Sequence, residues 1–191
     1  MSRSTRREIL QSIAAAALAG PLSAQQARHV HQQTARVTAA SGGVYHPKAL
    51  TAHEFRSLER LCELIVPGAS KGQAAEFIDL LSSGNPELAA IYTGGLAWLD
   101  HHMERAQKTS FLDAHPQDQN ALLDQIAYRQ NSTPERAAGI HFFDWARRMT
   151  VDAYYTSAAG IDELGYLGNK SVVEFKVPQQ AIDYALDRSP R

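Results

Sequence analysis

Cysteine is almost missing from this chain: Cys62 stands alone among 191 residues. A single thiol cannot close an intrachain disulfide, carry an iron-sulfur cluster or build a cysteine-based zinc site. Without a Cys-x-x-Cys-His run there is no covalent haem attachment, and without Gly-x-Gly-x-x-Gly there is no dinucleotide-binding fingerprint. No apolar run reaches the roughly 20 residues that span a bilayer. Acidic and basic side chains nearly balance, for a formal charge of -1, so there is no electrostatic case for nucleic acid or for an anionic membrane surface. Internal repeats are absent. What is left is one domain's worth of chain, long enough for a real core, with no visible cofactor site of its own.

The N-terminus is a targeting pattern. Ser4 to Leu10 holds the adjacent pair Arg6 and Arg7, then comes an uncharged, alanine-rich run to Ala19, then Gly20, Pro21, Leu22, Ser23 and Ala24. Charge at positions 3, 6 and 7 before a modest apolar core fits a twin-arginine signal better than a Sec signal or an ordinary amphipathic helix. Residues 1 to 24 are therefore expected to be an export signal and the protein to be periplasmic. Cleavage after Ala24 follows a helix-breaking Gly-Pro but puts Leu22 where a small residue is commoner. Cleavage after Ala19 uses Ala17 and Ala19 but leaves Pro21 close behind. The twin-arginine route carries folded proteins, commonly because a cofactor is inserted first. A chain with no such site on that route suggests an escort for a folded partner that has one.

Residues 25 to 50 are rich in Gln, Ala, Thr, Ser and Gly, without a sustained period, and predict an extended or partly disordered leader. His29, His31 and His46 lie there and are expected to be solvated, since no acidic or cysteine companion completes a metal site. The first helix starts at Thr51, with Glu54 completing a capping box, and carries Leu58, Leu61, Cys62 and Ile65 on one face before Pro67 and Gly68 stop it. Cys62 on that face reads as a buried, inert thiol. A second helix near 73 to 83 carries Phe77, Ile78, Leu80 and Leu81. Asn85 caps a third, with Pro86 at its first position, running to about 107. Gly94 and Gly95 inside it suggest a close packing contact.

Pro116 opens a fourth helix to about Gln130. Asn131 to Pro134 signals the start of the last long one, apolar around much of its girth and so expected at the centre of the bundle. Gln179 to Asp187 suggests a short final helix after a strand-like arm over 172 to 178. The architecture predicted is all-α: a single-domain bundle of about five to six helices over 51 to 170, with a C-terminal arm over 171 to 191.

Catalytic constellations are thin. His101 and His102, beside Asp100 and Glu104, point in different directions on a helix, so both cannot easily serve one ion. His141 with Asp144 and Asp152, or Ser157 as nucleophile, can be drawn as chemistry, but nothing brings nucleophile, base and orienting group together. Arg147 and Arg148 either pair with acids on a partner or face water.

One run is neither helix-periodic nor strand-alternating: Tyr154, Tyr155, Thr156, Ser157, Gly160, Leu164, Gly165, Tyr166, Gly168 and Asn169. It reads as an ordered loop, its glycines giving positive φ or close approach and its tyrosines offering amphipathic surface, either to a partner or folded back on the domain. This run resembles the closing motif of the gluconate 2-dehydrogenase subunit 3 family. His53 to Pro67, ending in Ile65, Val66 and Pro67, is similar to that family's opening helix, and residues 74 to 99 to its next two. The likeness covers roughly residues 50 to 170. It departs from the family in the short Gly68 to Gly72 loop and in the tail beyond Asn169.

The resemblance implies a non-catalytic small subunit of a periplasmic sugar or polyol dehydrogenase. Such a subunit partners an FAD-containing flavoprotein of the glucose-methanol-choline type, often with a cytochrome c subunit, and touches a membrane only through the complex. It implies escort, supplying the export signal and stabilising the flavoprotein, with FAD, and any haem c, held by partners. It also implies a partner interface at Tyr155, Thr156, Gly160, Leu164, Gly165, Tyr166, Gly168 and Asn169. A free-standing exported metal-binding or hydrolytic protein using its histidines, or a scaffold for an unrelated exported partner, are the alternatives.

Overall fold

The computed structural model describes residues 5–166 and 177–188, and they form an all-α domain without strands. Its helices are α1 (Arg6–Ala19), α2 (Ala24–Ala40), α3 (Ala52–Ile65), α4 (Ala74–Ser82), α5 (Pro86–Gln107), α6 (Pro116–Ile126), α7 (Ala137–Tyr155), α8 (Ala158–Glu163) and α9 (Gln179–Arg188). Two 3₁₀ turns, Ala69–Gly72 and Arg129–Asn131, link them. None of the described helices is long and apolar enough to cross a membrane.

The helix ends follow local chemistry. Thr51 and Glu54 close the expected capping box on α3, and Asn85 accepts from the N–H groups of Glu87 and Leu88 to start α5. α7 begins later than Asn131 to Pro134 suggests: the Thr133 hydroxyl caps a preceding turn at Arg136, and the helix proper starts at Ala137.

The expected leader is corrected over its first part. Ala24–Ala40 is a helix, with Ser23 and Gln26 forming a capping box at its start. Ala27, Val30, Gln33 and Thr34 fall on one buried face. The stripe is built of small and polar residues, so its helical period is weak in apolar content, yet small side chains let α2 lie close on α4. The N-terminal segment is also helical in the full chain. α1 buries Ile13, Ala14 and Ala17 and packs on α4, while Arg6 and Arg7 stay exposed. The Arg148 guanidinium donates to the Ala17 carbonyl at 2.6 Å and lies 4.2 Å over the Trp145 ring. Arg147 pairs with Asp144. Both arginines are thus engaged within the chain.

α7 is buried on more than one side and touches α3, α4, α5, α6, α8 and the first 3₁₀ turn. It crosses α5 through two holes left by glycine. A Cβ at Gly95 would lie 2.0 Å from the Phe142 ring, and one at Gly139 would lie 2.4 Å from Trp98, so each glycine admits an aromatic knob from the facing helix. Gly94, by contrast, faces open space. Cys62 is buried between α3 and α7. It accepts from the Thr150 hydroxyl at 3.4 Å, and burial pushes its thiol up to about 12, which keeps it unreactive.

The most enclosed element is the short α4, where every residue but Glu76 is buried. In its middle, fully buried, sits Asp79. Its carboxylate accepts from the Tyr45 hydroxyl (2.7 Å) and from the N–H groups of Lys48 (2.7 Å), Ala49 (3.0 Å) and Leu50 (2.9 Å). The non-helical connector from α2 to α3 is therefore folded around one side chain.

Asp79→Ala strips the acceptor from three N–H groups and a hydroxyl, and should cost about 3 kcal/mol or more in urea unfolding, against about 1 kcal/mol for Tyr45→Phe. Equal losses in the two variants would show that the connector does not depend on this carboxylate.

Candidate partner interface

The tyrosine and glycine run is built on the end of α7. Thr156, just past the helix, donates its hydroxyl hydrogen to the Asp152 carbonyl at 2.5 Å. Ser157 then turns the chain: its Oγ donates to the Tyr154 carbonyl (2.6 Å) and accepts from the Gly160 N–H (3.1 Å), capping α8. The ordered loop expected here thus contains a short helix, because Ser157 nucleates a turn that an absent apolar period cannot reveal. The Ser157 hydroxyl is thus bonded to backbone on both sides.

Gly160 is required by close approach. A Cβ there would lie 2.2 Å from the Tyr154 carbonyl oxygen, so only glycine lets α8 fold against the end of α7. A Cβ at Gly72 would likewise lie 2.8 Å from both Ser157 and Tyr154, which fits the 3₁₀ turn beneath them. Gly165 takes φ +61 and ends the segment. Tyr154 is buried and donates to Glu163 at 2.5 Å, and that carboxylate holds the phenol up at about 12.

α2 reaches the same place. His31 lies against the Phe77 ring at 4.8 Å, and its Nε2 is 3.0 Å from the Thr156 hydroxyl. Because that hydroxyl's hydrogen goes to Asp152, His31 donates and Thr156 accepts, so this histidine does not hold the threonine as a base. Burial lowers the His31 pKa, partly offset by a bond to the Ala153 backbone. The expectation of a solvated His31 is corrected: the α2 helix carries it inward. His46 is exposed.

Between α2, the first 3₁₀ turn and α8 lies an open groove of about 580 Å³. Tyr155, Thr156, Leu164 and Tyr166 line it together with Ala159 and Ile161. Leu164 and Tyr166 are each 61% exposed. Of the expected interface residues, Gly160 lies buried beneath the groove, Gly165 is exposed at its end, and Gly168 and Asn169 fall outside the described residues. Arg6 and Arg7 lie on α1 and do not line it. The wall from α2, with Arg28, His31 and Gln32, and the floor from Lys71 to Gln73 are not tied to this site by any pattern in the sequence.

The other constellations disperse. His101 is exposed, while His102 stacks on Trp98 at 5.1 Å. Asp100 is bonded to His53 (2.7 Å) and to the Phe111 N–H (2.9 Å). Asp144 pairs with Arg129 and Arg147, and His141 is exposed. Among the described residues no group of three or more His, Cys, Asp or Glu is placed to hold a metal ion.

A family profile described as Gluconate 2-dehydrogenase subunit 3 matches residues 52–173. No curated protein and no solved structure matches the chain. The matched span begins at α3, so the α2 wall of the groove lies outside it.

Gly160→Ala should lower stability by about 1–3 kcal/mol through overpacking at the α7–α8 junction. Gly94→Ala, with open space around it, should raise stability by about 0.5–1 kcal/mol. Thermal unfolding of the pair checks the junction, and a neutral Gly160→Ala would refute it.

A lowered His31 pKa means that the fold favours the neutral ring. That stability is fully present above the unfolded value of about 6.5 and is lost as pH falls through the lowered folded value. The drop in urea midpoint between pH 7.5 and 5.5 should therefore shrink in His31→Gln, and an unchanged drop would assign the effect to other groups.

Proposed function

Because the chain belongs to the gluconate 2-dehydrogenase subunit 3 family, we propose that it is the non-catalytic small subunit of a periplasmic, FAD-dependent sugar or polyol dehydrogenase. The catalytic partner is a flavoprotein of the glucose-methanol-choline type, which holds the FAD and oxidises the hydroxyl. A cytochrome c subunit would take the electrons onward. This chain escorts the flavoprotein: it supplies the twin-arginine signal through Arg6 and Arg7, exports the folded complex and stays bound.

The observation that carries this reading is the coincidence of the family's closing run with an exposed apolar surface. Leu164 and Tyr166 stand out from a groove whose backbone is fixed by Ser157, Gly160 and the Thr156–His31 contact. A rigid support under large exposed side chains is the form of a binding anchor.

Co-expression of the tagged chain with its neighbouring genes, followed by periplasmic purification, tests the reading. A stoichiometric flavoprotein with FAD absorbance should accompany the wild type, and it should be missing from the periplasm when Arg6 and Arg7 are both lysine. Tyr166→Ala should weaken the complex by about 2 kcal/mol or more if this ring is an anchor. A colourless chain, exported alone, would refute the escort.

A further inference from the structure

The groove has a sign. Its basic lining comes from Arg28 of α2 and Lys71 of the first 3₁₀ turn, and among the described residues no carboxylate lines it. Asp162 on α8 is exposed but does not line the groove, and two further nearby acids are engaged. Glu63 accepts from the N–H groups of Gly68 (2.9 Å) and Ser70 (2.7 Å), and Glu163 from the Tyr154 hydroxyl. Arg28 makes no ion pair or side-chain hydrogen bond among the described residues. Lys71 acts on Glu63 only at a distance, helping to lower its pKa without forming an ion pair. Both cations are exposed. On a chain whose formal charge is -1, this is a local positive rim around an apolar trough.

We propose that the groove receives an acidic, amphipathic segment of the catalytic subunit, its apolar side chains against Ala159, Ile161, Leu164 and Tyr166 and its carboxylates against Arg28 and Lys71. The inference rests on the subunit reading above and names the chemistry of the partner's contact. A small anion would satisfy the cations but leave Leu164 and Tyr166 in water. A purely apolar segment would bury the rim of two cations without a counter-charge, which is unfavourable. A segment carrying both features answers both walls.

The two walls also divide the labour. The α8 wall lies within the residues matched to the family, whereas Arg28 and His31 lie outside them. The apolar wall supplies the anchor, and the charge that discriminates among partners comes from Lys71 inside the matched span together with Arg28 on the α2 wall outside it. This arrangement ties recognition to α2 docking, since the Thr156–His31 contact joins the two walls.

The test uses the full complex. A photo-crosslinking residue replaces Ile161, and the captured peptide is mapped. In parallel, capture of the flavoprotein by wild type and by the double variant Arg28→Glu/Lys71→Glu is measured at low and high salt, with circular dichroism of both chains. The crosslinked peptide should be apolar with two or more carboxylates. The double variant should bind about tenfold or more weakly at low salt, with a smaller gap at high salt. Changing the mapped carboxylates to lysine should restore binding of the double variant.

A wild-type complex that forms normally but crosslinks elsewhere, or is indifferent to the charge reversal, overturns the groove assignment and leaves the subunit reading standing. Failure of the wild type to capture any flavoprotein overturns both. Should the double variant misfold, the identity of the crosslinked peptide and the salt dependence of the wild type decide the matter alone.

Discussion

The buried carboxylate of Asp79 is the interaction on which the arrangement of this domain depends. A charged group with no exposure is stable only when its oxygens are fully engaged, and here four donors converge on them. Three are successive backbone N–H groups, so the connector after α2 must curl around α4 before α3 begins. That curl fixes the direction from which α2 approaches α4. The α2 wall of the groove, more than 40 residues from Asp79 in sequence, inherits its position from this node.

From the same core, α4 passes the constraint to α7, and α7 to the interface. Phe142 fits the hole at Gly95, Trp98 the one at Gly139, and the end of α7 is then held where Gly72 and Gly160 close on Tyr154. Each step depends on the absence of a side chain. Glycines at crossings act here as registers: they admit one neighbour in one place, and a methyl group would force the helices apart.

Much of this was legible in the residues. Capping at Thr51 and Asn85, the stop at Pro67 and Gly68, and the buried Cys62 all follow from short-range chemistry, which a sequence displays directly. So does the enclosure of α7, whose apolar residues cover much of its girth. α2 was not legible, because Ala27, Val30 and Thr34 bury little apolar area each and mark no strong period. Asp79 was hidden for the opposite reason. One acid among Phe77, Ile78, Leu80 and Leu81 looks like a solvent-facing position until its four donors, some 30 residues upstream, are brought to it. Half of the groove was readable at Tyr155 to Tyr166; the other half, at Arg28 and His31, is joined to it only by folding.

The way α1 rests on the domain has a consequence for a chain that loses it. Its fully buried residues are Ile13, Ala14 and Ala17, with Ile9, Leu10 and Leu18 packed partly against the core, so its departure uncovers an apolar patch. Its polar attachment to α7 is the Ala17 carbonyl on Arg148, and the Asp152 carboxylate lies near the linker that follows α1. Arg148 and Asp152 stand four residues apart on α7, the spacing at which opposite charges on a helix meet. Were α1 and its linker removed, the cation and the anion left behind would be each other's nearest replacement. The fold carries, one turn apart, both halves of the bond that would close the scar.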